Sequence, residues 1–332
     1  MKKASKRFHP WLIGLLIIIV IGYVLSLRDI PTKITYGVSF SKFHSDELQL
    51  DWKEVYNALL NDLKVKHFRF SAHWPNTEPT EGEYNFSELD YQIKGAEKRG
   101  ADFILAVGRR LPGWPECHEP EWAQDLPLKE KQEKILKYIE TVVNRYKDSP
   151  SIVYWQVENE PFLAFFSRSH CGALDKEFLD KEIELVKKLD PSRSVLITDS
   201  GEFGYWWPAY RRGDVFGTSL YLYIWNRKIG PFRYPITPAF FRIKQSITEL
   251  VWGKKQTMIV ELSAEPWLLQ PIISAPVPTL LERMGPEKFN EMIEFASKTG
   301  FDRQYLWGAE WWYWMKKIGY PEHWERAQEL FR

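Results

Sequence analysis

Two stretches of the chain end an apolar run on an acid. IVYWQVENEPF places Asn159 and Glu160 at the close of one run, and KKQTMIVELSAEPW places Glu261 directly after Met258–Val260. Two carboxyl groups that face each other from separate strands can divide acid and base work. One donates a proton to a leaving oxygen, while the other attacks a carbon or activates water, which is the requirement of glycosidic bond cleavage. Glu265, four residues beyond Glu261 in AEPW, is the alternative partner, because a longer strand would bring it forward instead.

The elements that must carry these acids read as a repeating pattern. Short apolar runs are predicted as strands over Thr35–Phe40, His67–Ser71, Phe103–Val107, Ile152–Val157, Ser194–Thr198, Val215–Leu220, Thr257–Val260 and Arg303–Trp307. Helical periodicity falls between them over Trp52–Leu63, Leu89–Arg99, Lys129–Tyr146, Leu174–Leu189, Ala239–Val251 and Pro286–Thr299, and weakly around Tyr205–Arg212. Runs such as FILAV and TMIV are apolar on consecutive residues, as strands buried on both faces should be. Eight such units within roughly 300 residues predict an α/β fold, a closed (β/α)8 TIM barrel, in which chemistry sits at the C-terminal strand ends. An open dinucleotide-binding sheet would want a glycine-rich loop after its first strand, and GVSFSKFH lacks one.

With the acids on the fourth and seventh strands, the chain resembles the large clan (clan A) of retaining barrel glycoside hydrolases that includes cellulases, mannanases, xylanases and β-galactosidases. The resemblance spans most of residues 34–312. It implies Glu160 of the Asn-Glu pair as acid/base, Glu261 as nucleophile and Asn159 on the sugar 2-hydroxyl. Arg69, in HFRFSAHW, resembles the arginine that braces the nucleophile, and Trp307 resembles a platform tryptophan closing the last strand. Either Tyr221 or Tyr223 resembles the tyrosine that hydrogen-bonds the nucleophile. By position alone, His73, Trp74, Trp114, His118, Glu202, Glu310, Trp311 and Trp312 should also reach the mouth. Trp74, Trp311 and Glu265 are candidate sugar contacts, and His73 is one whose alternative is a structural hydrogen bond.

Composition narrows the partners. Lys plus Arg is 45 against 44 Asp plus Glu, so no basic stripe suggests nucleic acid. The 16 Trp suit a heavily aromatic core, with a share left for flat sugar faces. The seven His form no metal-binding pair, so neither metal nor other cofactor is expected. At the N-terminus, Lys2, Lys3, Lys6 and Arg7 precede the uncharged Trp11–Leu27. We read residues 1–30 as a cytoplasmic basic tail and transmembrane signal-anchor, with residues 31–332 as the exported catalytic domain; a removable signal peptide is the alternative. Export would permit a bond between Cys117 and Cys171, which follow adjacent strands. The expected partners are an oligo- or polysaccharide and the membrane. Transglycosylation by the same two acids, or a non-catalytic carbohydrate-binding barrel, are the alternative functions, since fold alone does not fix activity.

Overall fold

The computed structural model describes residues 10–163, 168 and 170–332. The basic positions Lys2, Lys3, Lys6 and Arg7 lie outside them. The eight expected strands all form. They are β1 (Thr35–Ser39), β2 (His67–Ser71), β3 (Asp102–Val107), β4 (Ile152–Val157), β5 (Val195–Asp199), β6 (Val215–Leu220), β9 (Thr257–Ser263) and β10 (Arg303–Trp307). They pair in parallel and close into a barrel, with β6 beside β9 and β10 returning to β1. Two further strands, β7 (Tyr223–Asn226) and β8 (Gly230–Arg233), form an antiparallel hairpin in the long segment after β6.

Sequence dictates these layers in simple terms. Within the helix Leu128–Tyr146, Ile135, Tyr138, Ile139, Val142, Val143 and Tyr146 are buried, a three-to-four spacing that makes one apolar stripe. Asp175 caps the helix Lys176–Leu189 by accepting from Phe178 N at 2.9 Å. Inside the barrel, Ile104, Leu196, Val215, Met258, Val260 and Tyr305 form a separate apolar cluster, so the lumen is a packed core rather than a pore. Gly37 makes room for it, since a Cβ there would lie 2.6 Å from the Tyr305 ring.

The described residues do not support the expected membrane-spanning anchor. The apolar run forms a helix over Pro10–Ser26. Among the described residues no helix is long and apolar enough to cross a membrane. Its C-terminal end is instead tied to the helix Pro238–Trp252. Arg242 Nε donates to Ser26 O at 2.8 Å, Ser246 Oγ to Leu25 O at 3.0 Å, and Arg28 pairs with Glu249 at 2.7 Å.

Candidate active site

The acids converge where the barrel logic puts them, at the C-terminal ends of β4 and β9. Past β4 the backbone turns sharply, with Glu158 and Glu160 both at positive φ (57° and 44°). For residues other than glycine this conformation costs on the order of 1–3 kcal/mol each. Neighbouring strands hold the turn: Glu158 N donates to Val107 O (2.9 Å), Asn159 N to Arg110 O (2.6 Å) and Glu160 N to Thr198 Oγ1 (2.8 Å). The Glu158 carboxylate in turn accepts from Arg109 N (2.8 Å) and Arg110 N (2.6 Å), fixing the loop after β3.

Glu261 lies within β9, which runs three residues past Val260. A register shift between Thr218 and Ser219 pairs Ser219 with Glu261. Its two oxygens are separately served. Arg69 Nη1 donates to Oε2 at 2.9 Å, and the Tyr221 hydroxyl donates to Oε1 at 2.5 Å. The same guanidinium reaches Gln156 Oε1 (2.8 Å) through Nε and Asn159 Oδ1 (2.7 Å) through Nη2, so one buried arginine ties β2, β4 and β9 together. Burial, then the Glu261 charge, pushes the Tyr221 hydroxyl well above its ordinary range, so it remains a donor.

Glu160 sits in the opposite electrostatic setting. Burial, then the charge of Glu261, raises its pKa well above the usual carboxyl range. Its Oε1 is buried and has no hydrogen-bond partner among the described residues. One carboxyl therefore accepts from two donors, and burial and charge favour the protonated form of its neighbour. Two acids in such different surroundings can serve as nucleophile and proton donor.

The tyrosine alternative resolves onto Tyr221, since the Tyr223 hydroxyl leaves the mouth to donate to Glu291. Glu265 stands apart from Arg69, accepting instead from His44 Nε2 (2.6 Å) and from Trp307 Nε1 (2.7 Å). His44 also stacks on Trp307 with centroids 5.6 Å apart. Burial alone would lower His44, but the Glu265 and Glu47 carboxylates beside it hold it well above its ordinary range. This layer fixes the pose of Trp307.

Two expected sugar contacts are corrected. Trp74 and Trp311 are both 0% exposed. Trp74 packs between Tyr138 and Trp122 and donates to Glu78 Oε2 at 2.7 Å, while Trp311 packs edge-on against His323. Both are core residues, as is Trp312, whose indole donates to Ala264 O at 2.7 Å. His73 is also buried, against His118 and Phe43, with Nε2 3.3 Å from Pro112 O, the structural hydrogen bond that was its alternative. Glu202 accepts from Tyr221 N (2.8 Å) and Glu310 from Ser41 N (2.6 Å), so both brace backbone.

Three residues escaped the sequence reading. Glu116 and His44 follow no apolar run, and only the Cys117 beside Glu116 marks its loop; Glu158 directly follows Val157, but the Asn-Glu pair beyond it drew the reading. That loop is stapled: Cys117 and Cys171 form a disulfide with a Cα–Cα distance of 5.4 Å.

Comparison with known proteins finds likenesses among glycoside hydrolases. Residues 41–193, which carry β2 to β4 and Glu160, match the β-galactosidase family Glyco_hydro_42. Mannan endo-1,4-beta-mannosidase F of Aspergillus fumigatus is 26% identical over 148 residues, covering 40% of this chain and 31% of the relative. Endo-1,4-beta-xylanase 2 of Claviceps purpurea is 28% identical over 127 residues, covering 37% of each. The chain thus spans about a third of the length of these curated relatives. Among solved structures, the β-galactosidase of the Antarctic haloarchaeon Halorubrum lacusprofundi superposes with a TM-score of 0.56 at 16% identity, covering 82% of this chain and 52% of that one. The chain shares the closed (β/α)8 barrel with this structure, and its similarities in sequence are to glycoside hydrolases.

Proposed function

We propose that the protein cleaves O-glycosidic bonds of β-linked glycans or glycosides by double displacement. Glu160 protonates the leaving oxygen while Glu261 attacks the anomeric carbon. Glu160, now a base, then takes a proton from the water that releases the sugar. The observation that carries the reading is the different surroundings of two neighbouring acids: Glu261 accepts from Arg69 and Tyr221, while burial and the Glu261 charge raise the Glu160 carboxyl. Asn159, held by Arg69, is the contact for the 2-hydroxyl, a bond that strengthens as the ring approaches an oxocarbenium ion. Trp307 supplies an apolar wall. The mannanase and xylanase names among the relatives support a polysaccharide substrate.

The test is product stereochemistry on mannan, xylan and aryl β-glycosides, followed by NMR from the first minutes. A β-anomer formed first, with Glu160→Ala slowing turnover by about 10²–10⁴-fold, is expected. An α-anomer formed first, or hydrolysis of a glycan unchanged in Glu160→Ala, overturns the assignment.

The barrel also works, in this proposal, outside the cytoplasm. The Cys117–Cys171 bond supports it, because such bonds persist in oxidising compartments, and the basic, then apolar, N-terminal segment suits an export signal.

A further inference from the structure

We propose that Glu116 is a specificity-determining residue: its carboxylate and the Asn159 amide together bracket the 2-hydroxyl of the sugar presented to Glu261. The inference rests on the glycosidase reading and assigns a residue beyond the acid pair.

The orientation of Asn159 comes first. The Arg69 guanidinium has only hydrogens to offer, so the Asn159 atom 2.7 Å from Nη2 must be the amide oxygen. Gln156 Nε2 and Thr198 Oγ1 turn toward the same oxygen at 3.4 Å. The amide nitrogen therefore points the other way, where it donates to Glu116 Oε2 at 3.2 Å. Asn159 thus has one hydrogen on Glu116 and one left to give.

The placement of Glu116 is equally fixed. Its backbone is tied at both ends, with Glu116 N donating to Gly113 O (2.7 Å) and Leu111 N to Glu116 O (2.8 Å). The next residue is held by the disulfide to Cys171. Glu116 adopts φ +75°, a conformation that residues other than glycine rarely take. Arg110 Nε lies 3.8 Å from Oε2. Among the described residues no hydrogen bond reaches Oε1, which leaves an acceptor open beside the spare Asn159 hydrogen.

A hydroxyl completes this pair, because it accepts from one partner and donates to the other. A hydrogen or fluorine at the same carbon cannot do both. The site is also the reacting one. Burial, and after it the Glu261 charge against the opposing Arg110, pushes Glu116 up to about 7, and the Glu116 charge in turn raises Glu160. The three carboxyls therefore lie close enough to feel one another's charge.

The experiment measures a ratio that a purely structural role would not move. Wild type, Glu116→Gln and Glu116→Ala are titrated calorimetrically with isofagomine, which lacks a 2-hydroxyl and so serves the gluco and manno series alike, and with its galacto form, each against the matching 2-hydroxylated noeuromycins in the gluco, manno and galacto configurations. Both probes carry the same ring nitrogen, so changes in site charge largely cancel between them. A hydrogen bond to a charged group predicts that wild type prefers the 2-hydroxylated probe by roughly tenfold to hundredfold. That preference should fall about tenfold in Glu116→Ala, with Glu116→Gln, which keeps an acceptor, between. An equal preference in wild type and Glu116→Ala overturns the proposal while leaving the acid pair intact. Failure of wild type to bind either probe in any configuration overturns the glycosidase reading itself, and this proposal with it.

Discussion

Glu261 and Glu160 are the same residue type with opposite assignments, and their partners alone separate them. Tyr221 is the cleanest place to test that separation, because its hydroxyl donates to Glu261 while its neighbour two positions on does not. Tyr221→Phe keeps the ring and its edge-on contact with Trp267 but removes a hydrogen bond to a charged group, worth about 1.5–3 kcal/mol. The expected outcome is a loss of kcat/KM of about tenfold to hundredfold in steady-state assays, with near-normal thermal stability. Tyr223→Phe, which touches Glu291 instead, should hold wild-type kinetics. Equal losses in the two variants would sink the assignment. At this scale the acids were legible, because each lies at or just past the close of an apolar run. The tryptophans were not: a position just past a strand end does not say whether a ring turns to the lumen or back under the helices. Trp74 turned back because Glu78 offers its indole N–H a buried acceptor, and nothing in the local sequence around Trp74 or Trp311 announces which way the ring faces.

Strands were read well because two-sided burial leaves a plain mark, a run of consecutive apolar residues, and five of the eight barrel strands end at the expected residue. The exceptions are informative. β9 runs on to Ser263 through polar Glu261 because the register shift against β6 turns that residue toward the mouth without ending the pairing. The β7–β8 hairpin and the short helix Lys42–Glu47 were missed because their residues pack on a finished barrel rather than on a periodic face of their own. Loop position is set instead by devices such as the Cys117–Cys171 bond, which bridges a separation of 54 residues. Closing a loop of that size restricts the unfolded chain, and removing such a bond costs about 2–5 kcal/mol. The double variant Cys117→Ser, Cys171→Ser should show that loss in urea unfolding under non-reducing conditions. It should also bind substrate more weakly, since Glu116 adjoins the released cysteine. An unchanged unfolding midpoint would mean that the loop is held by the Glu158 bonds alone.

For the whole molecule the consequence is a pH dependence. Burial raises Glu88, Glu116, Glu202 and Glu310 to about 7 and Asp199 to about 6. It also raises Glu158, and lifts Glu160 and Glu182 well above the carboxyl range. In the unfolded chain all of these release their protons near pH 4. Between that value and the folded one, the native state holds more protons, so stability falls as pH rises. His44 acts in the same direction, because its gain is complete below about 6.5 and is lost as pH climbs through its raised folded value. Three histidines, His73, His118 and His323, are lowered by burial and oppose this, costing stability as pH drops below about 6.5. Asp175, lowered chiefly by the Phe178 N–H, and Glu54, lowered chiefly by the Tyr313 hydroxyl, contribute stability that is lost only below about pH 4. The raised acids outnumber the opposing histidines, so the melting temperature should peak at mildly acidic pH, about 5, and decline toward 8. Glu160→Gln cannot ionise, so its melting temperature should exceed that of wild type by a margin that widens with pH while activity collapses. A margin that stays flat from pH 5 to 8 would show that Glu160 titrates in the folded protein as it does in the unfolded chain, and would remove the proton that the mechanism needs.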